Sequence, residues 1–372
     1  MKKLFLPLMA IALCGTIGCS KDEETPDPIN SATPDSYVLG VYNPAHHLSS
    51  YTENGITYNM VWSDEEQKTL QSFSIGPVQN TLQYDNQNRL TEVRIANHDE
   101  RMCFVYSGNA LSQMNLMDAS GDTVYHTSVS CNNNRITAVN YREISSDYVM
   151  GYLENYLGLE APKGLELSVT NLSTNYSWSN NNLTIETMHG EGHIQVPIGP
   201  MVDLLGLDTN VYRMLISSMH LDTIPGIGAM ITPQLIDDFV TLLRDSNAVI
   251  TGNVNIQINY AYDNHENPLY GFLANGLIGN AHLLSHNNML SNTHTGAADL
   301  TIRVGIPPAS AASGMMKIIL ALLQSAYPDG LSIPYSLPLN STEAYSYTYN
   351  ENGWPTSATK SGIPVLSYTY GD

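Results

Sequence analysis

Charged side chains are scarce in this chain of 372 residues: Asp, Glu, Lys and Arg make up 13% of it, against about 25% in an average soluble domain. Basic residues are the scarcest, with 15 Lys and Arg against 35 Asp and Glu, so the formal net charge is −20. A chain of this charge repels phosphate backbones and offers no basic face. We therefore expect no nucleic-acid partner.

Cysteine is also rare, and the 4 cysteines of the chain exclude a disulfide-stapled fold. Cys14 lies in the apolar N-terminal stretch and Cys19 follows it, so only Cys103 and Cys131 belong to the body of the chain. In an oxidising compartment these two form one disulfide, or they remain two buried thiols; the sequence leaves both interpretations open. Without a CxxC pair or adjacent histidines, they do not form a zinc site.

Recognisable catalytic motifs are missing as well. The sequence has no Gly-x-Ser-x-Gly elbow, no phosphate-binding loop and no dinucleotide fingerprint. The acidic pairs Glu65-Glu66 and Asp237-Asp238 do not identify glycosidase acids, which usually come from distant segments. We therefore predict no catalytic residue, no cofactor and no enzymatic activity.

The N-terminus has the pattern of an exported protein. A short basic region is followed by an apolar run from Leu4 to Ile17, the length of a secretory signal and too short for a confident membrane span. The run ends in Gly18-Cys19, which resembles the lipobox of bacterial lipoproteins. This resemblance implies that residues 1–18 are a signal peptide and that Cys19 carries the lipid that anchors the chain to a membrane.

The segment after the lipobox supports a surface location. Ser20-Lys21-Asp22-Glu23-Glu24 resembles the acidic export signal of Bacteroidota lipoproteins, which implies display on the outer face of the outer membrane. Residues 19–36 are rich in Pro, Ser and Asp and bury too little apolar area to fold, so we predict a flexible tether. Residues 37–372 are then expected to form a single domain.

A tyrosine-ended strand followed by an Asn/Asp/Gly turn recurs along this domain, which accounts for much of the 23 Tyr and 35 Asn of the chain. Tyr84–Thr91, Tyr260–Leu269 and Tyr347–Thr356 are three copies. Asn, Asp and Gly tolerate the left-handed backbone that tight hairpin turns need. The flanks alternate apolar and polar residues, as in Val254 to Tyr262, which is typical of half-buried antiparallel strands.

These copies resemble the YD-repeat-like domains of unknown function found in Bacteroidota lipoproteins, and Tyr260–Leu269 and Tyr347–Thr356 match them best. The resemblance implies an extended or curved β-sheet of a surface protein and brings no catalytic residues. The copies are few and irregular, and no effector domain is recognisable. Toxin delivery, known for the larger YD-repeat proteins, is therefore not implied.

Stretches of helical periodicity interrupt the hairpins and include an insert at about residues 197–246. Thr232-Pro233 has the pattern of an N-cap and first-turn proline. We therefore predict an α+β fold, in which an antiparallel hairpin meander forms a twisted or curved sheet with apolar helices packed on one face. Besides the helix that opens at Pro233, the predicted helices are Tyr148–Leu157, Val211–Leu221, Tyr270–Leu284 and Pro308–Tyr327.

Histidines give the pattern most like a metal site. His189-Gly190-Glu191-Gly192-His193 places a carboxylate between two histidines, but its glycines disfavour a helix, and it is not the His-Glu-x-x-His motif of zinc peptidases. We interpret His282, His286 and His294 as part of a partly exposed polar face, and His46-His47 as exposed to solvent. No metal site is predicted.

The favoured function is a non-enzymatic binding or scaffold protein with a glycan or protein ligand, since a sheet rich in Tyr and Asn offers rings and amide hydrogen bonds. Trp62, Trp178 and Trp354 are expected to pack rather than to stack on sugars. One alternative is a hydrolase with dispersed acidic residues, which needs two carboxylates about 5–10 Å apart in a cleft. The other is a carrier of a lipid or other apolar ligand, in a cavity lined by Met315, Ile319, Leu323, Phe239 and Leu243.

Overall fold

The computed structural model describes residues 39–42, 44, 47–63, 69–95, 100–142, 144–147, 164–200, 232–273 and 281–371. Within these ranges, the elements whose full extent is described include short 3-10 helices at Ala281–Leu284 and Ala309–Ala311. The others are β1 (Leu48–Glu53), β2 (Ile56–Trp62), β3 (Leu70–Ile75), β4 (Val78–Tyr84), β5 (Leu90–Ile95), β6 (Arg101–Ser107), β7 (Ala110–Met117), β8 (Thr123–Asn132), β9 (Arg135–Arg142), β10 (Glu166–Ser179), β11 (Asn182–Pro197), α1 (Pro233–Leu243), β12 (Asn247–Glu266), β13 (Asn287–Val304), α2 (Gly314–Ala326), β14 (Leu331–Pro338), β15 (Ser341–Tyr349), β16 (Pro355–Lys360) and β17 (Ile363–Tyr370).

All of these strands except β14 form a closed antiparallel barrel. From β1 to β13 each strand pairs with the next, and β13 pairs with β15 along Ser291–His294. The ring continues through β16 to β17, which pairs with β1 and places Tyr51 opposite Tyr368. β14 lies outside this ring, because it pairs with the other part of β13, from Ala297 to Val304.

The predicted α+β fold, with helices covering one face of a sheet, is wrong. Side chains from strands all around the ring share one core, including Leu48, Phe73, Phe104 and Val139. The apolar faces of the strands are thus enclosed in the interior of the barrel, where they share one core without a covering layer of helices. The described helices α1 and α2 instead pack in a second, separate cluster with the end of β13.

The predicted helices have different outcomes. α1 begins at Pro233 as the Thr232-Pro233 pattern predicts, and α2 lies within the predicted range Pro308–Tyr327. Of the predicted helix Tyr270–Leu284, residues 274–280 lie outside the described residues; of the described part, 270–273 are not helical, since Gly271 has a φ of 83°, and Ala281–Leu284 forms a short 3-10 helix. Tyr148–Leu157 and Val211–Leu221 lie outside the described residues. No helix in the described part of the chain has the length and apolar character needed to cross a membrane.

One hydrogen bond recurs along the barrel. An aromatic side chain at or next to the end of a strand donates to a backbone carbonyl at or next to the start of the preceding strand. Each bond joins two consecutive, paired strands at the same end of the barrel, which we call the aromatic rim. The pairs are Trp62 Nε1 and Leu48 O at 2.8 Å, Tyr84 OH and Leu70 O at 2.6 Å, Tyr106 OH and Leu90 O at 2.8 Å, Trp178 Nε1 and Ile136 O at 2.6 Å, and Tyr370 OH and Pro355 O at 2.8 Å.

Two of the tyrosine-ended copies also share the geometry of their turns. Asp85 Oδ1 accepts hydrogen bonds from the N–H groups two and four residues later, at 2.8 and 3.0 Å. Asn350 Oδ1 does the same, at 3.0 Å in both cases. The third copy differs, since β12 runs on to Glu266 before the chain leaves the barrel wall. Similar sequence spacing therefore gives a tight hairpin in two copies and a longer connection in the third.

The connection between β12 and β13 fills the barrel at the aromatic rim, and we call its described residues, 267–273 and 281–286, the plug. Leu269, Phe272 and Leu284 of the plug are buried in the barrel core. The Phe272 ring lies 5.1 Å from that of Tyr42 and 5.5 Å from that of Phe73. The plug thus contributes apolar side chains from outside the strands to the barrel core.

Candidate functional site

A groove of about 760 Å³ crosses strands β10 to β14. Two rows of residues flank the groove. Within each row, residues on neighbouring strands are direct partners in the sheet. These positions alternate along each strand with the inward-facing ones, so both rows lie on the outer face of the barrel wall, and we call the feature the outer groove. One row is Glu191, Asn253, Asp299 and Ser336, and the other is His193, Thr251, Thr301 and Pro334.

Glycines allow the strands to approach each other beneath the outer groove. Gly192 and Gly252 are direct partners between the two rows. A Cβ atom on Gly252 would lie 2.5 Å from Leu300 Cδ2 and 2.8 Å from the Asp299 carbonyl oxygen, and one on Gly192 would lie 2.6 Å from the Ser168 carbonyl oxygen. Gly192 of the His189–His193 segment therefore serves the packing of the sheet.

Neighbouring side chains hold the polar groups of the outer groove in place. His189 Nε2 lies 3.2 Å from Glu191 Oε1, and His189 Nδ1 lies 2.7 Å from Asn255 Oδ1. Asn255 Nδ2 in turn donates to Asn253 Oδ1 at 3.4 Å. On β13 and β14, Ser336 Oγ donates to Asp299 Oδ1 at 2.6 Å. The two carboxylates and the amide between them are thus positioned before any ligand arrives.

The metal-like pattern forms part of strand β11. His189, Glu191 and His193 share the outer face, but residues four apart on a strand are about 13 Å apart, too far for both histidines to converge on one ion. Among the described residues, no group of three or more His, Cys, Asp or Glu has the geometry of a metal site. Glu191 and His193 instead belong to the lining of the outer groove.

The histidines outside the metal-like pattern differ from one another in burial. His294 is 8% exposed and faces the barrel interior, so its assignment to an exposed polar face is wrong. His282 and His286 lie in the plug and are half-buried, which agrees with a partly exposed position; burial lowers the pKa of both, to about 4 for His282. The ring of His47 meets the Trp62 ring edge-on at 4.4 Å, and His46 lies outside the described residues.

The cysteines and acidic pairs do not form a site. Cys103 and Cys131 are separate, half-buried thiols, and burial raises the pKa of both. Asp237-Asp238 lies on α1, whereas Glu65-Glu66 lies outside the described residues. The structure therefore selects the two-thiol interpretation over the disulfide.

The barrel interior holds buried carboxylates that the sequence analysis missed. Glu186 is 2% exposed and accepts a hydrogen bond from Tyr260 OH at 2.6 Å; burial raises its pKa to about 7. Glu343 is 5% exposed and lies 2.6 Å from Lys360 Nζ. One signal was available, because Glu186 shares its strand face with the apolar Met188 two residues later.

The arrangement of the outer groove suits binding better than hydrolysis. Both of its carboxylates face solvent, and the Glu191 side chain is 50% exposed. A glycosidase acid instead needs an apolar setting that keeps it protonated near neutral pH. Glu186 and Glu343 do have buried settings, but they lie inside the barrel wall with Tyr and Lys partners.

The residues suggested to line an apolar cavity pack against one another instead. Ile319, Leu323, Phe239 and Leu243 are all buried in the cluster that joins α1 and α2. Met315 does not join them, since it is 51% exposed. These five side chains therefore do not surround a common ligand site.

Comparisons with known proteins give likenesses among solved structures and no family. No family model matches the chain, and no curated protein matches it. Among solved structures, a porin-like protein from Bacteroides uniformis is similar to this chain at 10% sequence identity, over 87% of this chain and 95% of that one, with a TM-score of 0.24. A likeness at this TM-score carries no argument about function.

Proposed function

We propose that this protein is a lipid-anchored binding protein of the outer membrane, displayed at the cell surface, and that the outer groove holds its glycan or protein ligand. The observation that carries the proposal is the outer groove itself, in which Glu191, Asn253 and Asp299 stand in one row open to solvent. Fixed carboxylate, amide and hydroxyl groups give a ligand both orientation and specificity.

The polar outer face of strand β12 supports attachment through a lipid on Cys19. On β12, the outward residues Asn253, Asn255 and Gln257 are exposed, whereas Ile256 and Ile258 are buried inside. A barrel wall in contact with lipid needs the opposite distribution, with an apolar band on the outside. We infer that the acyl chains on Cys19 and the tether of residues 19–36 supply the membrane contact.

The anchor is tested by replacing the cysteine. We expect the wild-type protein to incorporate labelled fatty acid, to fractionate with the outer membrane and to be cleaved by protease added to intact cells. Cys19→Ser should lose the label and leave the membrane fraction, because one side chain carries the lipid. Cys14→Ser is the control and should behave as wild type. A Cys19→Ser protein that remains labelled in the outer membrane would contradict the proposed anchor.

The binding site is tested by filling the outer groove. Thr251 lies in its lining and is exposed, so Thr251→Trp should occupy the groove without entering the core. We expect this variant to lose binding on a printed array of glycans and peptides to which the wild-type protein binds. Ser130→Trp, at an exposed position on β8, is the matched control and should retain that binding. Equal binding by both variants would overturn the assignment of the ligand to the outer groove.

A further inference from the structure

We propose that the ligand of the outer groove is an uncharged oligosaccharide that lies across strands β10 to β14. This inference rests on the proposed function, because it specifies the chemistry of the same site. It depends on the charge of the lining, the spacing of its polar groups and the direction of the groove relative to the strands.

The charge of the lining disfavours acidic sugars. Glu191 and Asp299 both line the outer groove, and no Lys or Arg is among the described residues that do so. Uronic acids, sialic acids and phosphorylated or sulfated sugars would bring a second negative charge next to these carboxylates without a cation to pair with it. Neutral hydroxyl groups, in contrast, donate to carboxylates in charge-assisted hydrogen bonds.

The spacing of the polar groups suits a ligand with many hydroxyls. Glu191, Asn253 and Asp299 stand on three consecutive strands, so neighbours in this row are about 4.8 Å apart. Asn253 Oδ1 already accepts from Asn255, which leaves the Asn253 amide N–H groups to donate to a ligand. The row therefore presents acceptor, donor and acceptor in turn, and a sugar hydroxyl meets either kind because it both donates and accepts.

The direction of the groove disfavours an extended peptide. The outer groove crosses the strands on the face of the sheet, where the backbone groups of β11, β12 and β13 are already paired with one another. A peptide gains most from adding to a free strand edge, where its backbone completes a ladder. A peptide on this face of the sheet cannot gain backbone hydrogen bonds in that way.

The length of the groove favours several sugar units over one. From β10 to β14 it crosses four strand intervals, a span of roughly 19 Å. A ligand that fills this span is a chain of linked sugar rings rather than a single ring.

The experiment uses the purified protein and titration calorimetry with defined sugars. The probes are neutral oligosaccharides of glucose, mannose or galactose, two to six units long, and oligosaccharides of galacturonic acid of the same lengths. We expect at least one neutral series to bind, with an affinity that rises with length up to the span of the groove. Asn253→Ala and Asp299→Ala should each weaken this binding about tenfold, the effect of losing one hydrogen bond that involves a charged or amide group.

Control variants separate the possible outcomes. Glu351→Gln removes a charge at an exposed hairpin turn far from the lining and should bind as wild type does. If galacturonic acid oligosaccharides or peptides bind in place of neutral sugars, and Thr251→Trp abolishes that binding, the proposed ligand class is wrong and the proposed function stands. If no probe distinguishes the wild-type protein from Thr251→Trp, both are overturned.

Discussion

Replacing Glu186 with Gln is expected to raise the free energy of unfolding at pH 8 by about 3 kcal/mol. Glu186 is 2% exposed in the barrel interior, and burial raises its pKa from 4.5 to about 7. Above pH 7 the folded protein must therefore hold a buried negative charge. Gln has nearly the same shape and keeps an oxygen that accepts the hydrogen bond from Tyr260 OH, so the variant removes the charge without opening a cavity.

The sign of the pH dependence follows from the two pKa values. Because the pKa of Glu186 is higher in the folded than in the unfolded state, its protonated form favours folding. That contribution is fully present below about pH 4.5 and is lost as the pH rises to about 7. The surrounding tyrosines Tyr176 and Tyr260 do not titrate in this window, because burial raises their pKa values well above 10.0.

Urea denaturation between pH 4.5 and pH 8.5 measures the effect. The difference between Glu186→Gln and wild type should be near zero at pH 4.5 and should grow to its full value above pH 7. Glu191→Gln is the matched control, because Glu191 is on the same strand but its side chain is 50% exposed. A constant difference at all pH values, or the same pH-dependent gain in Glu191→Gln, would show that Glu186 is not the titrating group.

The strands were predictable from sequence because the alternation of apolar and polar residues along a strand indicates which side chains are buried. Ile256 and Ile258 alternate with Asn255 and Gln257, and that pattern by itself assigns an inner and an outer face to β12. The pattern does not report what covers the inner face. Closure depends on the pairing of β1 with β17, two segments at opposite ends of the described chain, and no local feature of either strand predicts that pairing.

The outer groove was not predictable for a related reason. Its lining comes from five strands: β10 contributes Thr170 and each of the other four contributes three residues, and no single strand's share is distinctive when taken alone. Glu191 and His193 were noticed only as a weak metal pattern, whereas Asn253 and Asp299 gave no signal. Only the register, which aligns Glu191 with Asn253 and Asn253 with Asp299, brings them into one row.

The plug shows the limits of helical periodicity as a signal. The spacing of apolar residues between Tyr270 and Leu284 predicts a helix, but such spacing indicates only that these side chains are buried. Phe272, Leu273 and Leu284 are indeed buried, yet they reach the core from an irregular segment and a single turn of 3-10 helix. A short irregular segment can bury a dense set of side chains when a surrounding barrel supplies the other side of the contact.

Phe272→Ala is expected to lower the free energy of unfolding by about 3–5 kcal/mol, the usual effect of removing a fully buried aromatic ring. Phe272 is 2% exposed, and its ring packs against Tyr42 and Phe73 at 5.1 and 5.5 Å. Tyr42 precedes β1 and Phe73 belongs to β3, so the substitution removes contacts that tie the plug to segments far away in sequence. Urea denaturation measures the loss, with Ile363→Ala as the control.

Ile363 is 67% exposed at the start of β17, so its truncation should change stability by less than about 0.5 kcal/mol.

Hydrogen exchange tests where in the barrel the Phe272→Ala substitution acts. In Phe272→Ala, amides of the plug and of the adjacent strand starts, such as Leu48 and Leu70, should lose protection before those at the opposite end of the barrel. If Phe272→Ala and Ile363→Ala have equally small effects, the plug is not part of the barrel core. A large loss of stability with protection lowered first at the aromatic rim is the result that a packed plug requires.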